Sequence, residues 1–315
     1  MPALQSSSRL MIGLLRFVFK TAVVLILLVA AGYYPLVLHS PQPEEPGYDL
    51  DMNAVRQAAA SLSGPKVQDI RVEQVAEFSF AEAMVMAGEA WRGTPIPIYS
   101  YKLVFPKRSI VVDTAMSSVK GIPGFMVNSF DEGAYQRMLK AMDDAEHIVI
   151  THEHFDHIGG IVDHPRVAEL LPRIQLTEEQ FAHPDRMMPL RYPEGVFENY
   201  QPLRYDSLHA LAPGVVLIKA PGHTPGSQMV YIELADGREV LLLGDVSWQM
   251  RNIHAVRERP LFITAIVREN RTQVINQFQA LNALQKREPE LAMVPGHDGE
   301  VMKTMLERGV FKAGF

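Results

Sequence analysis

Three histidines and two carboxylates fall within seven residues, Thr151-His152-Glu153-His154-Phe155-Asp156-His157, directly after the apolar run His147–Ile150. Read as a strand that empties into a polar turn, the segment sends His152 and His154 to the same side, where two imidazoles can grip one metal ion. Asp156 and His157 follow where the chain turns toward a helix and face a second, nearby ion. Glu153 and Phe155 point the other way, into packing or support. Any one of these histidines, taken alone, is better explained as a satisfied core or surface residue. With 11 histidines and 14 aspartates in 315 residues, three histidines and an aspartate in these slots are an accident of about one in a thousand. The chain has no cysteine. That excludes a disulfide scaffold, a thiolate zinc site, an iron–sulfur cluster and a cysteine nucleophile, and leaves imidazole and carboxylate as the ligands. Such a donor set suits zinc, and iron or manganese as well.

Three further candidates close apolar runs. His223 lies in Ala220-Pro221-Gly222-His223-Thr224-Pro225-Gly226 after the run Val215–Lys219, where glycine lets backbone approach closely. Asp245 ends Glu239–Asp245, and His297 ends Leu291–His297. Separately, Asp245 reads as a turn acid and His297 as a loop residue. Their shared placement after strands, together with the first cluster, reverses both readings.

His152-x-His154-x-Asp156-His157, followed by His223, Asp245 and His297, resembles the metallo-β-lactamase superfamily. Asp113, in Ile110-Val111-Val112-Asp113-Thr114-Ala115, is similar to that family's early strand aspartate, with Ala115 where many members carry glycine. The resemblance runs from about residue 98 to 300. It implies an α/β fold, a four-layer αββα sandwich with two metals at one edge of the sheets, preceded here by one N-terminal hydrophobic helix. It further implies that His152, His154 and His223 hold one ion, that Asp156, His157 and His297 hold the other, that Asp245 bridges them, and that Asp113 supports from behind. Two ions sharing a water bring its pKa toward ~7, so hydroxide becomes available at neutral pH, and Asp156 can orient it or carry a proton to the leaving group.

Departures from subfamily patterns narrow this reading. β-Lactamases with a cysteine ligand are excluded, and the histidine-rich class usually lacks the bridging aspartate that Asp245 supplies here. Flavodiiron-type members replace the second histidine, whereas His154 is intact. What remains resembles lactonases, esterases and glyoxalase II-like enzymes: a dinuclear zinc hydrolase of a small ester or lactone. The alternatives are a mononuclear-iron oxidoreductase of the persulfide dioxygenase kind, and a β-lactam hydrolase. A non-catalytic binding module is disfavoured with all seven ligand positions intact. Trp248 and Met250, after Asp245, are expected with segment 181–212 to wall a pocket for an apolar substrate portion, though ordinary packing explains both residues as well.

Outside the site, the uncharged run Thr21–Leu38 gives 18 residues, about 27 Å of helix at ~1.5 Å per residue against a ~30 Å hydrocarbon core. Arg9, Arg16 and Lys20 precede it, and Glu44, Glu45, Asp49 and Asp51 follow, a bias that puts the N-terminus in the cytoplasm and the remainder across the membrane. Residues 1–39 are therefore expected to be a signal-anchor; a cleaved signal peptide ending near Ala31 and a core helix are the rivals, and a bacterial protein would work in the periplasm. Beyond residue 38 the chain holds 27 basic and 36 acidic residues, a net of −9, the wrong sign for nucleic acid, so the expected partners are a small-molecule substrate and the membrane. Residues 40–64 read as linker with a short helix at 52–61, and 65–315 as one domain. Strands are expected at 98–105, 109–113, 147–150, 215–219, 229–234, 240–243 and 291–294. Helices are expected at 131–142, 165–171 and 274–286, and 181–212 has no clean period.

Overall fold

The computed structural model describes residues 3–42, 47–120 and 122–315; Pro43–Pro46 of the expected linker, with Glu44 and Glu45, lie outside the described residues. Among the described residues the strands run, in chain order, β1 (Asp69–Ala81), β2 (Gly93–Val104), β3 (Ser109–Val112), β4 (Val127–Phe130), β5 (His147–Val149) and β6 (Leu208–Ala212). They continue with β7 (Val215–Lys219), β8 (Gln228–Glu233), β9 (Glu239–Gly244), β10 (Ala292–Pro295) and β11 (Phe311–Ala313). One sheet has the order β11-β1-β2-β3-β5 with β4 also on β1, and the other the order β10-β9-β8-β7-β6.

Apolar side chains alternate to the inner faces of both sheets. Ile70, Leu103 and Ile110 from the first meet Val215, Val230 and Val240 from the second in one buried layer. The outer face of the first sheet is covered by helix Glu132–Asp144, whose Ala134, Met138 and Met142 share a cluster with Ile148 and with Ile158 of helix Phe155–Val162. Helices Met52–Ala60 and Arg271–Arg287 cover the second sheet, burying Met52, Val55, Ile275, Phe278, Leu281 and Leu284 against Val216, Tyr231 and Leu241. The fold is thus the expected αββα sandwich. Helix Met52–Ala60 falls within the segment read as linker, and its buried face makes it part of this core.

Four strands escape the sequence reading, the longer β1 and β6 and the short β4 and β11. β1 carries a bulge between Gln74 and Ala76, so adjacent Val75 and Ala76 are both buried and the period of two breaks. The second is β6, which closes the 181–212 excursion and pairs with β7. The C-terminal helix Gly299–Glu307, capped by Asp298, likewise leads into β11, which pairs with β1.

The N-terminal helix Ala3–Tyr33 continues as a wider turn through Leu38. Its stretch Met11–Leu38 is long and apolar enough to cross a membrane, and its most apolar 18 residues have a mean hydropathy of 2.4 with none of them buried in the domain.

Candidate metal centre

All the candidate ligands leave strands at one edge of the sandwich. β3 and β5 are parallel, and β7, β9 and β10 share a direction because β8 is antiparallel to β7 and β9 while β10 is parallel to β9. Their C-terminal ends release Asp113, the Thr151–His157 segment, His223, Asp245 and His297 in turn. The last two are packed so tightly that a Cβ on Gly296 would lie 2.2 Å from Asp245 Oδ1. Position 296 therefore admits only glycine. Asp113 and Ala115 adopt φ of 58° and 48°, left-handed backbone that glycine takes without strain. Ala115 holds it where the resemblance leads one to expect glycine.

The side chains form two groups, His152, His154, His223 and Asp245 in one and Asp156, His157 and His297 in the other, and Asp245 of the first also approaches the second. In the first, Nδ1 of His154 lies 3.0 Å from Nε2 of His152 and 3.0 Å from Nε2 of His223. Asp245 Oδ2 stands 3.3 Å from His223 Nε2 and 3.8 Å from His152 Nε2. In the second, the other oxygen of Asp245, Oδ1, is 3.0 Å from His297 Nε2 and 3.4 Å from His157 Nε2. Asp156 Oδ2 is 3.7 Å from each of those two nitrogens. His157 Nε2 and Asp245 Oδ1 are buried without a hydrogen-bond partner. Leaving such groups unsatisfied costs ~1–3 kcal/mol each, a cost that coordination removes. Donor chemistry and orphaned atoms both fit metal binding.

The far side of each ring fixes its tautomer. His297 donates Nδ1–H to the carbonyl of Pro97 at 2.8 Å, and since a carbonyl only accepts, Nε2 is the nitrogen left to serve the cluster. His157 Nδ1 is 2.9 Å from Asp113 Oδ2, and Asp113 also accepts from the amide of Thr151 at 2.6 Å. His223 Nδ1 hydrogen-bonds Glu269, a carboxylate fully buried in an ion pair with Arg259. Arg259 reaches the carbonyl of Asp245 as well and lies 4.8 Å over the ring of Trp248. On the opposite face Glu153 accepts from Thr224 Oγ1 at 2.7 Å and from the amide of Gly226, tying the first cluster to the His223 loop.

Electrostatics divide the rings. Burial first, and the neighbouring imidazoles next, push His152 and His154 well below the ordinary histidine range, so both are neutral donors. Burial opposes charge on His157 too, but Asp113, Asp156 and Asp245 outweigh it and raise its pKa well above that range. His223 and His297 are raised likewise against burial, by Asp245 with Glu269 and by Asp245 with Asp156. Burial works against ionisation of Asp245, yet His297, His152 and His157 hold it well below the usual carboxylate range.

All seven expected ligands and Asp113 converge here. Trp248 joins them: its ring lies 6.1 Å from His297, and its Nε1 donates to Asp245 Oδ2 at 2.7 Å. Met250 does not. It is buried among the helices outside the second sheet, because the chain after Trp248 turns into helix Met250–Ala255 and carries it away. From the 181–212 excursion, Arg186 donates to the carbonyl of Val267 at 2.9 Å, next to the segment that bears Glu269. Glu269 and Arg259 have no counterpart in the sequence reading.

The curated relatives include a probable metallo-hydrolase of Mycobacterium tuberculosis, 29% identical over 180 residues that span 50% of this chain and 56% of that protein. An N-acyl homoserine lactonase of Bacillus thuringiensis is 30% identical over 178 residues, 50% of this chain and 66% of that one. The chain thus spans less than two thirds of these relatives' length. Among solved structures, an N-acyl homoserine lactone hydrolase with N-hexanoyl-L-homoserine bound at its catalytic metal centre superposes with a TM-score of 0.59 at 21% identity, over 76% of this chain and 96% of that one. A dizinc quorum-quenching lactonase gives 0.51 at 16%, over 74% and 89%. Those likenesses bear on the fold. The family model of the metallo-beta-lactamase superfamily matches residues 93–305, from β2 through the C-terminal helix, and the chain belongs to that superfamily.

Proposed function

We propose that this protein is a metal-dependent hydrolase of a small ester or lactone that uses two ions, zinc first among them. His152, His154 and His223 would hold one, Asp156, His157 and His297 the other, and Asp245 both. The observation that carries this reading is Asp245, which lies between the two donor sets, 3.3 Å from His223 and 3.0 Å from His297. Ions bound there supply Lewis acidity toward an acyl oxygen and make water ionisable near neutral pH. The protein's own part is to aim the Nε2 atoms of His297, His157 and His223 inward, through Pro97, Asp113 and Glu269, and to keep Asp245 ionised. Asp156, only partly buried and beside His157 and His297, would hold a proton at Oδ2 and pass it to a departing alkoxide. An ester or lactone needs little such help, whereas an amide nitrogen must be protonated as it leaves. Trp248 offers an apolar wall to the acyl portion. The lactonase relatives support the substrate class. The N-terminal helix is proposed to anchor the chain with its N-terminus cytoplasmic and the domain outside.

The test is metal content with a substrate panel. Full-length protein is expected to carry about two equivalents of transition metal and to show higher kcat/KM for lactones or activated esters than for β-lactams or phosphodiesters. Asp245→Ala should lose metal and activity together. One iron per chain, or β-lactam hydrolysis with inertness to every lactone and ester, overturns the reading.

A further inference from the structure

Helix Leu261–Val267 is apolar at every position but Thr264, and Thr264 is buried. Its inward side is Ile263 and Thr264; outward stand Phe262, Ala265 and Ile266, the last 71% exposed. Spaced at i, i+3 and i+4, these three share one face with no polar residue to wet it. Beside it Trp91, 57% exposed, stacks on Phe262 at 6.2 Å. Trp91 Nε1 donates to the hydroxyl of Tyr33 on the N-terminal helix at 2.7 Å. The exit of that helix is fastened to the same corner: the carbonyl of Val37 accepts from Gly88 at 3.0 Å, and Gln42 donates to Val256 at 2.8 Å.

We propose that this face is a lipid-contacting surface, seated in the headgroup–acyl boundary of the bilayer that the N-terminal helix spans; it rests on the anchor reading above. Depth supports this occupant. Tyr33 precedes the end of the apolar run at Leu38 by five residues, at most about 7.5 Å at the α-helical ~1.5 Å per residue, since the wider turn rises less. Interfacial apolar faces sit ~5–10 Å into that boundary. A tryptophan bonded to Tyr33 thus lies at the level where aromatic belts form, and Phe262 and Ile266 continue the same layer outward. The surface borders the site, since the helix runs directly from Arg259 to Glu269, the pair behind His223.

The absence of cysteine makes single-label probing clean. Full-length Val24→Cys, Ile266→Cys and Asp236→Cys proteins, spin-labelled in phosphatidylcholine–phosphatidylglycerol vesicles, are compared by collision with oxygen and with a nickel chelate. Expected are a Val24 label deep in hydrocarbon, an Ile266 label oxygen-accessible at shallower depth, and an Asp236 label in water. An aqueous Ile266 with an embedded Val24 overturns this proposal alone, as does an Ile266 label shielded from both reagents, which marks a protein interface. An aqueous Val24 overturns the anchor and this surface with it. In the unmodified chain, brominated lipids should quench exposed Trp91 and spare enclosed Trp248; unquenched emission contradicts the seating.

Discussion

Glu269 shows how much a single side chain can carry here. It orients His223 from behind and neutralises Arg259, and both partners are fully buried. Glu269→Ala is expected to cost about 3–5 kcal/mol in denaturant unfolding, because it strands a buried guanidinium, and to weaken metal binding roughly 10–100-fold in chelator competition. Adding Arg259→Met should restore most of the stability and none of the affinity; recovery of both would mean that Glu269 only packs. Protons supply a second test. His157, His223 and His297 are raised above the ordinary range, so they hold protons near neutral pH that a metal must displace. Apparent affinity should therefore rise with pH through those raised values and fall on the acid side. Calorimetry in buffers of different ionisation enthalpy should read net proton release, and none would contradict the assignment. The residues that converge at the candidate metal centre were legible in the sequence because each sits in a short, chemically loud segment after a strand. Glu269 was not, because it lies 46 residues from His223 and no local pattern marks it.

At the level of elements, the helix that delivers Asp156 and His157 depends on two glycines. A Cβ on Gly160 would lie 2.7 Å from the carbonyl oxygen of Thr114 and from Met138 Cε. The amides of Gly159 and Gly160 already bond the carbonyls of Ala115 and Thr114. Gly160→Ala should push the helix off the turn after β3, costing about 1–3 kcal/mol and loosening the second metal group more than the first. Thermal unfolding with metal stoichiometry checks this; unchanged stoichiometry would show that the helix tolerates the shift. Elements with an unbroken period were readable: 215–219 forms a strand as expected, and the inward set of helix Arg271–Arg287 is buried. The β1 strand was hidden by its bulge, and β6 by the irregular chain before it. Short helices such as Val167–Leu170 shrink from their expected spans because tertiary packing, rather than propensity, fixes so short an element.

For the whole molecule, the asymmetry of charge about the N-terminal helix sets the expected arrangement. A periplasm-active reporter fused after residue 60 should be active and one fused before residue 10 inactive, since the basic residues precede the span. The reverse pattern overturns the orientation, and a mature N-terminus near residue 32 replaces anchoring with cleavage. Alternating strands and helices point to a layered α/β architecture, and the family resemblance supplies its αββα order. Where the N-terminal helix meets the domain did not follow, because that contact is made by Trp91 and by the carbonyl of Val37, which no periodicity reveals.

The pairing of Arg259 with Glu269 also limits how this chain can diverge. Both ends of the intervening stretch are pinned to the metal site, one through the backbone of Asp245 and the other through His223. Inserting or deleting a residue between them would rotate one partner off its target, whereas exchanging one apolar side chain for another would leave both in reach. Among homologues that keep the pair, segment 260–268 should exchange one apolar residue for another while holding its length constant.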